Sequence, residues 1–249
     1  MTLFKGLPLA VLAVVLAACS DPAPTQAPST PPPSIQAAAG PTCRLPGDVA
    51  PARQQRPPAD EVDPDVPTTA YMLALTWAPE ICRTRGRDRD YAIQCRDNDF
   101  GFVLHGLWPN GAGRRHPRYC APAPPLDAAT VRRHLCMTPA PTMLQHEWAA
   151  HGTCGWSTPE AYFDQAAALW ESVRLPEMAG PTLTAGEIRR AFVAANPGLA
   201  RNGINIRTTD DNRLLDVRLC YDLEFRPAAC RGGLGAPDRV VVQIASRRN

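Results

Sequence analysis

Apolar runs and polar interruptions divide the chain into short elements. Ala70 to Trp77 (AYMLALTW) and Phe100 to Leu104 are apolar, bounded by polar residues, and read as strands. Helical spacing follows. Asp127 to Cys136 reads as a helix capped by Asp127. Met143 to His151 reads as a second, with Thr142 as N-cap and an apolar face of Met143, Leu144, Trp148 and Ala149. Thr158 to Val173 is amphipathic, with Ser157 or Thr158 as cap and Phe163, Ala167 and Trp170 expected inward. Thr184 followed three residues later by Glu187 is a capping box opening a helix to Asn196. Leu214 to Tyr221 and Arg239 to Ala245 read as late strands, and Gly203 to Arg207 as a short one. Strands, then helices, then strands predict an α+β fold: a mostly antiparallel central sheet with several helices packed on it. No repeat and no internal membrane span is visible in the pattern.

The first residues have a different character. Lys5 precedes an apolar run from Leu7 to Ala18, too short for an ordinary span, so residues 1–19 read as an export signal. Leu16-Ala17-Ala18-Cys19 looks like a bacterial lipoprotein signal, which implies cleavage before Cys19 and lipidation of its thiol. Ser20 stands where an Asp would have suggested inner-membrane retention. Ordinary secretion with a spare cysteine is the alternative. Residues 20–67 are rich in Pro, Ala, Ser, Thr and Gln and read as a linker, with Cys43 suggesting that its second half is stitched to the domain. Residues 68–249 suit one domain. These features predict a periplasmic or outer-membrane-anchored monomer, held to the membrane through Cys19.

Charge narrows the picture little. The net charge of +2 gives no bulk field for a polyanion, so attraction to one must be local. Arg114, Arg115 and Arg118 form the candidate patch, with a solvated loop as the plain alternative. Cysteine says more. With Cys19 set aside, the remaining eight of nine cysteines imply a disulfide framework in an exported chain. Eight cysteines allow 105 pairings. Zinc is disfavoured because no close CxxC pair exists, and no cofactor or metal is called for.

Candidate chemistry gathers in two segments, Phe100 to Asn110 and Leu144 to Gly155, which hold three of the five histidines. The apolar run Phe102 to Leu104 delivers His105 to the end of a buried strand, and Gly106 follows where the chain can turn. Trp108 and Pro109 make a stiff wall. On the helix, Glu147 and His151 are four apart and share a face, and His146 looks in from the side. Gly152 is expected to end the helix, and Cys154 to pin it. Such a set suits phosphoryl-oxygen chemistry, where one imidazole takes a proton and another gives one.

At these residues the chain resembles the ribonuclease T2 family, whose signatures are an HGLWP block and an HEWxKHGTC block. Both occur in the usual order, at His105–Pro109 and His146–Cys154. Weaker resemblance runs from about Tyr71 to Cys230. It implies an endoribonuclease that cleaves single-stranded RNA through a 2′,3′-cyclic phosphate without a metal. His105 would be the general acid, His151 the base, His146 a phosphate ligand and Glu147 a support for the charged transition state. The sequence does not settle this assignment against its reverse. Trp108 would stack on a base or pack beside the site. Asn110 stands where some relatives have Asp contacting the first base. Thr138-Pro139-Ala140 weakly resembles the stretch lining the second. Trp148 reads as core, and His116 and His134 as surface. The resemblance also implies Cys120–Cys154 and Cys220–Cys230. Locality and elimination then pair Cys82 with Cys95 and Cys43 with Cys136.

One departure bears on activity. Ala150 stands where the family usually carries Lys or Arg, a cation facing the scissile phosphate. Loss of such a contact costs about 10²–10³ in rate, unless Arg114 or Arg115 substitutes. A weakened or inactive RNA-binding lipoprotein of the same fold is therefore the rival reading. A zinc peptidase is not, because His146 and His151 are five apart, roughly 140° around a helix, where zincins need four.

Overall fold

The computed structural model describes residues 43–178 and 180–247. The export signal, Cys19 and the first part of the linker lie outside the described residues. The described part of the linker is not a free spacer. Cys43 is disulfide-bonded to Cys136, Ala52 is buried and bonded to the Leu126 carbonyl, and Asp63 bridges to Arg118.

Four antiparallel strands make the central sheet in the order β2-β1-β5-β4: β1 Ala70–Trp77, β2 Phe102–Asn110, β4 Ile204–Thr208 and β5 Leu214–Tyr221. β3 Thr182–Thr184 and β6 Val241–Gln243 pair separately, so only the centre of the expected Arg239–Ala245 strand forms. The helices are α1 Ala78–Arg85, α2 Ala128–His134, α3 Pro141–Ala150, α4 Pro159–Ser172 and α5 Ala185–Ala195. Leu73, Leu75, Val217 and Leu219 cover one sheet face and meet Tyr162 and Phe163 of α4 and Ile188 and Phe192 of α5 in a single core. The chain thus has the expected α+β architecture. All four disulfides also pair as expected: Cys43–Cys136, Cys82–Cys95, Cys120–Cys154 and Cys220–Cys230.

Several local expectations are corrected. β2 does not stop at Leu104; it runs through His105 and Gly106 to Asn110. Ala74 opposes Gly106 while Leu75 opposes Leu104, so His105 is the extra residue of a β-bulge. The bulge lets Leu104 and Leu107, three apart, both enter the core. Thr142 does not cap α3. Ala140 holds that position without a side-chain bond, and Pro141 starts the helix at its first turn. Gly152 is not the stop either. The backbone leaves the helix at His151 (φ −125°) and forms a short 3₁₀ turn, Gly152–Cys154. A Cβ at residue 152 would collide with the Trp148 and Tyr162 rings, which explains the glycine there. On α4 the buried face is Tyr162, Phe163, Ala166 and Leu169, one position off the expected Ala167 and Trp170. His134 is a core residue, 5% exposed and stacked on Phe163 at 4.8 Å.

Candidate active site

The bulge in β2 and the end of α3 meet at the edge of the sheet. Trp108 stands between them. Its Nε1 donates to Glu147 Oε2 at 2.7 Å. Its ring meets His105 edge-on at 5.1 Å and stacks on His151 at 5.3 Å. Arg218 of β5 lies over it at 4.7 Å. With these partners the indole acts as a spacer of the site, which favours the packing reading over base stacking. Gly106 is required by closeness, not by a turn. A Cβ there would collide with the Glu147 carboxylate and the indole nitrogen.

His105 is surrounded by carboxylates. Its Nε2 lies 3.5 Å from Glu147 Oε1 and its Nδ1 lies 3.9 Å from Asp216 Oδ1, with the Thr76 hydroxyl 3.2 Å from Nδ1. Burial opposes its charge more than any other single influence. The nearby carboxylates of Asp216 and Glu147 together outweigh it, so its pKa is raised. Asp216 is itself held down to about 2: burial works against it, but His105, Arg218 and Thr76 prevail.

The helix-borne histidines face the opposite conditions. Burial, then the charges of Arg118, His146, His105 and His116, hold His151 well below the usual imidazole range. His146 is lowered to about 4 by burial, then by Arg118 and His105. No acceptor is offered to the buried His151 Nδ1 among the described residues. Glu147, 1% exposed, is raised to about 7 by burial, against the pull of His105, Trp108 and Arg118. Ligand atoms of His146, Glu147 and His151 lie within 4.8 Å of one another, near enough to meet one cation. The carboxylate is already engaged with Trp108 and His105.

The end of α3 is firmly placed. Cys154 is bonded to Cys120, the Cys120 N–H donates to Thr153 Oγ1, and the Tyr119 N–H donates to the Ala150 carbonyl. That packing decides the fate of Ala150. It is fully buried, packed with Tyr119 and Ala149.

The sequence-predicted residues are thus only partly brought together. His105, Trp108, His146, Glu147 and His151 converge. Arg115 does not join them: it is exposed and paired with Asp63 at 2.5 Å. Arg114 is exposed, and Asn110 sits half-exposed at the end of β2, its carbonyl taken by Thr69. His116 is at the surface as expected, and Trp148 is in the core. Thr76, Asp216 and Arg218 are neighbours of the site that the sequence reading missed; Arg118, expected only as part of a patch with Arg114 and Arg115, also lies beside it. A signal existed for two of them. Asp216 and Arg218 alternate with Val217 and Leu219, so they must leave the core face together.

A model described as the ribonuclease T2 family matches residues 68–180. A probable ribonuclease of Haemophilus influenzae is 31% identical over 177 residues, and a ribonuclease of Aeromonas hydrophila is 37% identical over 99. These alignments cover 66% and 40% of this chain, but only 62% and 43% of the relatives' own lengths. Among solved structures, an RNase-related protein from Calystegia sepium superposes with a TM-score of 0.59 at 18% identity. That match covers 73% of this chain and 98% of the other, and it bears on the fold.

Proposed function

We propose that the chain belongs to the ribonuclease T2 family, whose model matches residues 68–180, and that it is an exported endoribonuclease cleaving single-stranded RNA. One observation carries this: two partly exposed histidines flank one indole, His105 among carboxylates and His151 beside cations. Pairs of titratable groups pushed apart by their surroundings mark an acid and a base. This favours His105 as acid over the reverse assignment. His151 is neutral and takes the proton from the ribose 2′-hydroxyl. The 2′-oxygen attacks phosphorus, and His105 gives its proton to the departing 5′-oxygen. The products are a 2′,3′-cyclic phosphate and a 5′-hydroxyl. Neither step needs a metal, and the 2′-hydroxyl requirement restricts the substrate to RNA.

His146, lowered to about 4 and therefore neutral at pH 7, acts as a hydrogen-bond donor to phosphate. We assign the cation that Ala150 lacks to Arg118, which is itself paired with Glu61 at 2.7 Å. Its guanidinium lies over the Tyr119 ring at 5.4 Å, and that ring meets His146 edge-on at 6.3 Å. Its charge is felt by His146, Glu147 and His151. The weakened or inactive binding protein is the second reading, and Ala150 is the observation behind it. Four disulfides support an oxidising, extracytoplasmic location. Anchoring through a lipid on Cys19 is part of the proposal, and Cys19→Ser should release the protein from membranes.

The deciding experiment is digestion of homopolymeric RNA and DNA with and without EDTA, followed by analysis of the ends. EDTA-resistant cleavage of RNA alone, leaving 2′,3′-cyclic phosphates, is expected. Dependence on a metal or cleavage of DNA would refute the mechanism, and absence of turnover would favour the binding protein.

A further inference from the structure

Asp216 lies on β5, two strands from the sheet edge that carries His105, and is 3% exposed. A carboxylate this deeply buried is costly unless it is paired. Its partners are specific. Thr76, directly opposite on β1, donates its hydroxyl to Oδ1 at 2.6 Å. Arg218 donates to Oδ2 at 2.9 Å. Register explains the grouping: the β1–β5 pairing aligns Thr76 with Asp216 and Ala74 with Arg218, and the β2 bulge brings His105 over them.

The hydroxyl then fixes a proton. A threonine hydroxyl has one hydrogen to give, and here it is given to a carboxylate that can only accept. Toward His105 Nδ1, 3.2 Å away, Thr76 is left as acceptor. Nδ1 must therefore carry a hydrogen. Nε2 faces Glu147 at 3.5 Å, and a hydrogen there exists only in the imidazolium.

Building on the ribonuclease reading above, we infer that Thr76 and Asp216 are positioning residues for His105, locking its hydrogen on Nδ1 and holding the imidazolium ready to protonate the leaving oxygen. In the step itself the P–O5′ bond breaks and the Nε2 proton passes to the 5′-oxygen. The ring is left neutral, its remaining hydrogen still bonded to Thr76.

The other charged groups facing this ring do not supply the same hold. Glu147 approaches from α3, but with a pKa of about 7 it is only partly ionised near neutrality. Arg218 of β5 and the histidines His146 and His151 oppose the charge or share it. Asp216, held to about 2, is the counter-ion that stays charged throughout the working range. Threonine is needed between them because 3.9 Å is too long for a direct hydrogen bond from Nδ1 to Asp216.

The test uses Asp216→Asn, Thr76→Val and Thr76→Ser in the full chain, each checked for a native melting transition. The alkaline limb of the kcat/KM profile on RNA should move down by about one pH unit in Asp216→Asn, as expected for an opposite charge lost at this range. Without RNA, the His105 ring followed by NMR should titrate lower by the same amount. Its ¹⁵N shifts in the neutral wild-type form should report hydrogen on Nδ1. Thr76→Val should lose that preference and Thr76→Ser keep it, so the threonine pair carries the test if Asp216→Asn does not fold. An unmoved ring titration in folded Asp216→Asn, or hydrogen on Nε2 of the neutral wild-type ring, would overturn the inference. A wild type that cleaves no RNA while its ring behaves as stated would instead sink the reading of function and support the pairing.

Discussion

The two walls of the site hold the same side chain in opposite states. The sheet wall places His105 against Glu147 and the buried Asp216–Thr76 pair. The helix wall places His151 and His146 in apolar surroundings under the charge of Arg118. One indole touches both, through its edge to His105 and its face to His151. Both histidines are partly exposed, so exposure alone does not distinguish them. The difference is made by counter-charge: His105 meets Asp216 of β5 and Glu147 of α3, whereas the charge of Arg118 bears on His146 and His151. The direction in which each ring's pKa is pushed comes from the groups that surround it, not from the motif that contains it.

The strongest way to break this comparison is to remove one ring from each wall. His105→Ala and His151→Ala should each cost about 10²–10⁴ in kcat on RNA, the range of general acid–base contributions. The double variant should be little worse than the poorer single one, since the two act as a unit. Near-multiplicative losses would mean that they do not.

Next in size is the cation behind the helix wall. Arg118→Ala should lower kcat by about 10²–10³ and let His146 and His151 titrate higher. Arg114→Ala and Arg115→Ala should stay near wild type, because Arg114 is exposed and Arg115 is held by Asp63.

Ala150→Lys sharpens the same point from the other side. The residue is fully buried beneath Tyr119, so lysine should overpack the site and cost about 1–3 kcal/mol of stability, read by denaturant titration. No rise in kcat is expected. A gain in rate without loss of stability would return the missing cation to position 150.

The smallest effect concerns the carboxylate between the walls. Glu147 has a folded pKa of about 7 against an ordinary 4.5. The folded state therefore holds this proton more tightly, and stability falls as pH rises from 4.5 through 7. Glu147→Gln escapes that loss. Its melting temperature should match wild type near pH 4 and exceed it by a few degrees at pH 8, on the usual scale of roughly 4 °C or less per kcal/mol for a chain of this size. Equal melting temperatures at pH 8 would mean that the carboxylate is not so perturbed.

Much of this was legible in the sequence, and what was missed has a common cause. His105, His146, Glu147 and His151 lie in two short blocks, and the capping box at Thr184 forms as its spacing requires. The bulge at His105 was not foreseen, although apolar residues at 102, 104 and 107 break strict alternation and could have signalled it. Thr76 and Asp216 are 140 positions apart, and only the β1–β5 register joins them. Arg118 was grouped with its neighbours Arg114 and Arg115. It separates from them because the Cys120–Cys154 bond and the bridge to Asp63 hold its part of the loop against the end of α3. His134 looked like a surface residue because charged Arg132 and Arg133 precede it, yet its helix turns it onto Phe163. Local pattern reveals elements and motifs; partners brought in by register or a disulfide require the fold.

The central claim is that the fold holds His105 and His151 at opposite ends of the imidazole range. Residue-resolved NMR titration of the histidine rings in the wild-type protein measures this directly. The account predicts that His105 titrates above 6.5, His146 at about 4 and His151 well below 6.5. A His151 that titrates above His105 would reverse acid and base and contradict it.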